Sequence, residues 1–426
     1  MDYFDLSDND DEDDVNDSYE IIDYYTEREN FNKKFDEYLI EKINNLKNKK
    51  ILLRNIDNVE NLNLMRNIKY LKLGNCFNRS IEDLSNSITH LNFGYSFNLP
   101  VNNLPNSITH LKFGNQFNKT VDNLPNSITY LKLGYDFNQK VNNLPNSVTH
   151  LIFEGIFNKS IDNLPNSITH LTFGCNFNQS VDNLPNSITH STFGHCFNQS
   201  VDNLPNSITH LTFGHCFNKS VNNLPNSITH LTFGHCFNKS VNNLPNSITH
   251  LKFGDEFNHS ISQLPKNVKF LSIGYNFHQN FINLPNTLTF LELKCYCNYY
   301  IPNTITHLSV RYTNLKINFT SLKYLYIMNS EYKNKENFKN VKYVIQIYQK
   351  NKYDYESDTI LHLYLNFNKC YVEIINSEIC EDEIYDICFL ADIIFEELTK
   401  YVFNPNRLLR YAEKFNLTFD DYLEFL

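Results

Sequence analysis

Apolar residues recur along this chain with a period of twenty. Leucine occupies every twentieth position from Leu64 to Leu284, and from Leu104 onward each of these leucines is followed by proline. The repeated unit reads L-P-N-S-I-T-H-L-x-F-G-x-x-F-N-x-S-V-x-N. Such a unit is too short to bury its apolar face alone, so each copy must stack on its neighbours.

Within the unit, the apolar positions alternate as they do in a β-strand. In the segment SITHLKFG, Leu111 and Phe113 flank polar Lys112, which is the period-two pattern of a half-buried strand. Gly114 ends this strand, and a Leu-Pro-Asn turn at 104–106 precedes it. Twenty residues with a proline and a glycine leave no room for two helices. The sequence therefore predicts a solenoid with one parallel β-strand per repeat and extended connections.

Two known patterns are similar to this unit. I-x-x-L-x-F-x-x-x-F-N resembles the leucine-rich repeat, with phenylalanine replacing some leucines. The longer phrase LPNSITHLTFG..FN resembles the FNIP repeat, a leucine-rich-repeat relative of social amoebae and of giant viruses that infect amoebae. The resemblance covers about residues 64–310, although the Phe-Asn-Ile-Pro string itself is absent and Phe-Asn-Leu-Pro at 97–100 is nearest. It implies a leucine-rich-repeat-like solenoid, often joined in relatives to an F-box that recruits a ubiquitin ligase.

The chain outside the array has a different composition. Strands are expected at KILLRNI before the first repeat, and at 321–327 and 340–347 after the array, where the repeat decays. Helical stripes flank both ends, and these helices either cap the solenoid or form a docking module. The predicted organisation is a disordered acidic tail (1–24), an N-terminal helix and cap (25–63), the repeats (64–310), degenerate repeats (311–350) and a helical C-terminal segment (351–426).

The charge of the chain is concentrated at its beginning. Ten of the 47 acidic residues lie at or before Glu20, where there is no Lys or Arg, so the remaining 37 acids balance the 37 bases. A neutral body without a basic stripe argues against nucleic-acid binding. No apolar run reaches the length of about eighteen residues that a membrane span needs, and the acidic start is unlike a secretory signal. We therefore expect an intracellular, cytoplasmic protein, in the host cytoplasm if it is viral.

Stacked repeats turn each position into a column of equivalent side chains. The histidine before each strand leucine is expected on the outer face, with Tyr130 in the one gap. Two interpretations are open: passive packing, or a ladder that responds to metal or acid, since rings about 5 Å apart would repel each other once protonated. A second row, His195, His215 and His235, could add ligands. The candidate ladder consists of His90, His110, His150, His170, His190, His210, His230 and His250.

Three other positions carry structural expectations. Cys76, Cys196, Cys216 and Cys236 occupy the position that the leucine-rich pattern turns inward, so they are expected to be buried free thiols, and no zinc site is predicted. Asn118 and its equivalents begin N-x-S/T triplets, which we interpret as a structural ladder that satisfies backbone groups in the turn. Ser191 replaces the strand leucine of its repeat and is expected in the core.

Enzymatic signatures do not occur in the sequence. There is no phosphate loop, no Gly-x-Ser-x-Gly, no His-Glu-x-x-His and no dinucleotide fingerprint. The sequence predicts a non-enzymatic scaffold for protein–protein interaction, with no cofactor. One alternative, implied by the resemblance, is a substrate-recruiting ubiquitin-ligase adaptor, although no F-box opening is evident; another is the metal- or pH-responsive histidine ladder. Because residues 204–223 and 224–243 are identical, specificity is expected in the divergent repeats at 64–160 and 261–350 or in the flanks.

Overall fold

The fold was taken from a computed structural model. The chain divides into two compact units, residues 1–248 and 249–426, which are described separately. The structure describes residues 68–81, 84–281, 283–295, 301–310 and 321–328, the strands at 19–23, 50–56, 343–349, 359–365 and 370–376, and the helical residues 41, 42 and 45.

The first unit is a parallel β-solenoid. Each strand pairs with the next in parallel, and from β4 to β11 the equivalent positions of successive repeats lie in register, as with His90 opposite His110. The predicted solenoid with one strand per twenty-residue repeat is confirmed. Its strands are β1 (Tyr19–Asp23), β2 (Lys50–Ile56), β3 (Ile68–Leu73), β4 (His90–Asn92), β5 (His110–Lys112), β6 (Tyr130–Leu133), β7 (His150–Phe153), β8 (His170–Thr172), β9 (His190–Thr192), β10 (His210–Thr212) and β11 (His230–Thr232).

The core of this unit is built from columns of equivalent side chains, most of them identical. In one repeat, Ile108, Leu111, Phe113 and Phe117 are all buried. The rings of Phe113 and Phe117 stack within the turn at 3.8 Å, and Phe117 lies 6.2 Å from Phe137 in the next turn. Repetition thus produces a continuous apolar interior in which every turn is covered by its neighbours, the source of stability in a solenoid.

The second unit continues with parallel strands and ends in antiparallel ones. Strands β12 to β17 pair in parallel, whereas β17–β18 and β18–β19 pair antiparallel. The strands predicted at 321–327 and 340–347 correspond to β16 and β17. The strands are β12 (His250–Lys252), β13 (Phe270–Ile273), β14 (Phe290–Leu293), β15 (His307–Val310), β16 (Tyr324–Met328), β17 (Tyr343–Gln349), β18 (Thr359–Leu365) and β19 (Cys370–Asn376).

The structure departs from the predicted organisation at both ends. Strand β1 lies inside the range assigned to the disordered acidic tail. Its five residues, YEIID, pair in parallel with Lys50–Arg54. Strands β18 and β19 lie in the segment predicted to be helical, and their sequences, TILHLYL and CYVEIIN, have the β-branched, alternating composition of strands.

The predicted flanking helices lie largely outside the described residues. Within 26–48, Glu41, Lys42 and Asn45 are helical, and the segment from 381 onward is not described. In the part of the chain that the structure covers, no helical segment has both the length and the apolar character needed to cross a bilayer.

Candidate interaction face

The outer strand face of the first unit is formed by the residues on either side of each buried strand leucine. In β4, β5, β8, β10 and β11 the histidine and the third residue are half-buried, while the leucine between them is buried. Of the predicted ladder, His90, His110, His150, His170, His190, His210 and His230 are half-buried members of this face; His250 belongs to the second unit and is exposed.

The histidines form stacked columns. His150, His170, His190, His210 and His230 follow one another with ring centroids 4.2–4.3 Å apart and planes within 11–12°. Tyr130 fills the gap in the column less tightly, at 5.6 Å from His110 and 6.1 Å from His150. The expected ladder geometry is therefore present, with rings nearer to each other than the strand spacing alone requires.

A hydrogen-bond relay holds each ring in place. Thr109 Oγ1 lies 3.2 Å from the carbonyl oxygen of Thr89 and 2.9 Å from Nδ1 of His110. Because a hydroxyl has one proton and the carbonyl can only accept, Nδ1 carries the proton and donates to Oγ1 when both bonds form. The same threonine–histidine pair recurs at 89–90, 149–150, 169–170, 189–190, 209–210 and 229–230.

Partial burial favours the neutral form of these imidazoles. Burial lowers the pKa of His150, His170 and His210 below the ordinary value, and the charges of neighbouring histidines lower it further. Parallel stacked rings also direct their nitrogen lone pairs side by side rather than towards one point, whereas zinc requires converging ligands. Among the residues described, no group of three or more His, Cys, Asp or Glu side chains is arranged to hold a metal ion.

Acidification is expected to destabilise the first unit through this column. A histidine whose folded-state pKa is lowered binds fewer protons when folded than when unfolded, so stability falls as the pH drops below about 6.5. The melting temperature should therefore decrease between pH 7.5 and 5.5. In a variant with His150, His170 and His210 all replaced by Asn, the decrease should be shallower. Equal pH profiles for the two proteins would contradict this role.

The second histidine row and the cysteines lie at the turn after the strand. His195, His215 and His235 stack at 4.5 and 4.6 Å. The expectation that the adjacent cysteines point inward is wrong: Cys76 is exposed, and Cys196, Cys216 and Cys236 are half-buried. The inward position is filled instead by the next residue, as Phe197 shows. Partial burial and the neighbouring thiols raise the pKa of Cys216.

The asparagine ladder predicted from the N-x-S/T triplets is confirmed. The backbone N–H of Asn118 donates to Oδ1 of Asn98 at 3.0 Å, and Oδ1 of Asn118 accepts from the N–H of Asn138 at 3.1 Å. Each asparagine therefore satisfies a backbone group of the following turn. The same bond links the successive asparagines from 78 to 238.

Two tyrosines distinguish the N-terminal repeats. Tyr95 is 50% exposed and Tyr135 is 40% exposed, and they are the large apolar side chains most open to solvent among the residues described. Both directly follow the strand-ending glycine, two repeats apart, which corresponds to about 10 Å at the spacing of parallel strands. The two tyrosines can be recognised in the sequence because the equivalent residues of the adjacent repeats are Asn75 and Asn115.

The outer strand face next to these turns is also chemically varied. The residue after the strand leucine is Asn92, Lys112, Lys132 and Ile152 on successive strands, whereas β8 to β11 each have threonine there. Lys132 Nζ lies 2.9 Å from Glu154 Oε1, and Lys112 Nζ lies 5.6 Å from the centre of the Tyr130 ring. Strands β3–β7 thus present a face whose repeats are distinguishable from one another.

Comparison with known proteins identifies the family. No curated protein sequence matches the chain significantly. Among solved structures, YopM from Yersinia enterocolitica WA-314 is similar at 17% identity and a TM-score of 0.28, with 64% of this chain and 76% of that chain covered. The FNIP Repeat model matches residues 77–116, 98–122, 117–155, 157–196, 197–236, 237–264 and 257–296. These matches cover just over half of the sequence, so the chain belongs to the FNIP repeat family, as its repeat predicted.

Proposed function

We propose that this protein is a non-enzymatic scaffold that binds a partner protein through the outer face of β3–β7 and the turns that follow these strands. The observation that carries the proposal is the pair of exposed tyrosines, Tyr95 and Tyr135, on a backbone whose turns are hydrogen-bonded to each other. Tyrosine provides a large contact area at a low cost in side-chain entropy and is enriched at the energetic centres of protein interfaces.

Variation along the face supports this choice of strands. A partner that binds identical repeats can shift by one repeat and make the same contacts, so such repeats cannot define one register. Residues 204–223 and residues 224–243 are identical in this way. On β3–β7, in contrast, the corresponding residues are Lys72, Asn92, Lys112, Lys132 and Ile152. A shift by one repeat changes this order of contacts, so a partner can be held in a single position.

The adaptor role implied by the family resemblance depends on a docking module at one end of the chain. Both candidate modules, the N-terminal helix and residues 381–426, lie outside the described residues except for a few helical positions. No observation on the described residues favours that role over a general scaffold.

Replacing both tyrosines is expected to reduce partner recovery strongly. Affinity purification with mass spectrometry should recover at least one protein with the wild type and with Asn115→Ala, which alters the same column between the two tyrosines. Recovery should fall at least about tenfold with Tyr95→Ala/Tyr135→Ala, because an interface hot spot contributes about 2 kcal/mol or more. Circular dichroism should show that all three proteins are folded. Undiminished recovery with the double variant would contradict the proposal.

A further inference from the structure

Three successive turns of the first unit form a shallow groove on the surface. The turns are those at 204–206, 224–226 and 244–246, and the groove encloses about 500 Å³. Its floor consists of leucines and prolines that are buried, the leucines being 6–7% exposed. The groove is open to solvent through its exposed residues, which are Asp202 and the asparagines Asn206, Asn222, Asn223, Asn226, Asn243 and Asn246.

Several of these amides are available to a ligand. Asn206 and Asn226 are exposed, and their side chains form no hydrogen bond with any described residue. Nδ2 of Asn223 donates to Oδ1 of Asp202 at 3.1 Å, which fixes this amide while its oxygen can still accept. An amide offers two N–H donors and an accepting oxygen. The groove therefore suits a ligand rich in hydroxyl groups, which both donate and accept.

The turns that carry these asparagines are held by hydrogen bonds. The backbone N–H of Ile208 donates to the carbonyl oxygen of Pro205 at 3.2 Å, which closes the turn around Asn206. Ser227 Oγ then donates to the carbonyl oxygen of Ile208 at 2.6 Å and joins this turn to the next one. The same two bonds recur one repeat later. A ligand therefore meets a preformed row of amides and does not have to order the backbone on binding.

Charge and spacing narrow the class of ligand. Asp202 is the one charged residue among those that line the groove, so a nucleic acid would find no cation there to neutralise its phosphates. An extended peptide presents the same side every second residue, or about every 6.6 Å, whereas parallel strands repeat about every 4.8 Å. Contacts between a peptide and the row of amides would therefore fall out of step within three turns.

We propose that this groove binds a straight, uncharged polysaccharide of β-linked sugars, with the linkage found in cellulose and chitin. Each sugar of such a chain carries hydroxyl groups, and its advance along the chain is close to the strand spacing, so successive sugars meet successive turns. The identity of residues 204–223 and 224–243 prevents a protein partner from finding one register, but it suits a polymer whose units are themselves identical. An α-linked chain of the same sugars coils and leaves a straight groove.

The polysaccharide groove is separate from the proposed protein-binding face. It uses none of the residues of β3–β7, and neither Tyr95 nor Tyr135 lines it. The two proposals can therefore be tested on the same protein, and the failure of one leaves the other standing.

Calorimetric titration of the full-length protein tests the proposal. The probes are cellohexaose and chitohexaose, which are straight chains of β-linked sugars, and the control is maltohexaose, the α-linked isomer of cellohexaose. At least one straight probe should bind, and maltohexaose should bind at least about tenfold more weakly. Absence of binding by both straight probes at about 1 mM, or equal binding of maltohexaose, would overturn the proposal.

Matched variants locate the binding to the groove. Asn206→Ala/Asn226→Ala removes two exposed amides and should weaken binding of the straight probe at least about tenfold. Asn166→Ala/Asn186→Ala makes the same change at the equivalent exposed position of two earlier turns, outside the groove, and should bind as the wild type does. Circular dichroism should show that both variants are folded. Wild-type affinity in the first variant, or an equal loss in both, would overturn the assignment to this groove.

Discussion

Gly194→Ala is expected to destabilise the solenoid by about 3 kcal/mol or more, the range of severe overpacking. A Cβ atom at residue 194 would lie 1.9 Å from the carbonyl oxygen of Gly174 and 2.7 Å from that of Phe173. Both contacts are with backbone atoms, which cannot rotate away as a side chain can. The substitution therefore forces two stacked turns apart.

The glycines at 174, 194 and 214 form a column whose tight backbone contacts cannot easily relax around an added Cβ atom. A Cβ atom on Gly214 would in turn lie 2.1 Å from the carbonyl oxygen of Gly194, so the same close contact recurs in the next turn. The exception supports this reasoning. Glu154 occupies the column in its own repeat, and there Gly155 follows with a φ of 51°, a left-handed conformation that glycine adopts readily. A residue with a side chain in the glycine column thus requires a different turn conformation.

Denaturant unfolding of the full-length protein measures this effect. The matched control is His195→Ala, which alters the next residue, an exposed position, and should change the free energy of unfolding by no more than about 0.5 kcal/mol. Hydrogen exchange should show increased opening around residues 170–215 in Gly194→Ala, because contacts in a solenoid are between neighbouring repeats. Stability equal to that of the wild type would show that adjacent turns can separate freely.

Ser191→Leu is expected to stabilise the protein by about 2 kcal/mol, with a corresponding rise in melting temperature. Ser191 is 2% exposed and its hydroxyl has no hydrogen-bond partner. It lies in register between Leu171 and Leu211, which are both buried. Leucine at this position would replace an unsatisfied hydroxyl with apolar volume that the adjacent repeats already accommodate.

Two further variants separate the effect of removing the hydroxyl from the effect of adding apolar volume. Ser191→Ala removes the hydroxyl without adding volume, so it should stabilise by about 1 kcal/mol or less. Thr192→Leu adds the same side chain at the neighbouring exposed position and should have little effect. A Ser191→Leu protein that melts at or below the wild-type temperature would show that the site has closed around serine and has no room for leucine.

The sequence determined those features that depend on local periodicity. The twenty-residue spacing and the alternation of Leu111, Lys112 and Phe113 were sufficient to predict parallel strands, the inward residues and the core position of Ser191. Alternation stops being informative after the strand-ending glycine, where the chain turns. The orientation of Cys196 was therefore wrong when inferred from the leucine-rich pattern, because the turn directs Phe197 inward and leaves the cysteine half-exposed.

Which residues of the outer face are buried depends on tertiary packing rather than on the repeat. By its place in the repeat, Glu292 belongs to the same column as half-exposed Thr212, so the repeat alone predicts a similar exposure for both. Glu292 is nevertheless only 5% exposed, a difference that the period of twenty does not encode. Likewise, the sequence placed histidines in a column, but the stacking distance and the bond from each ring to threonine depend on how far neighbouring turns approach. That approach is set by the glycine column, where backbone lies directly on backbone.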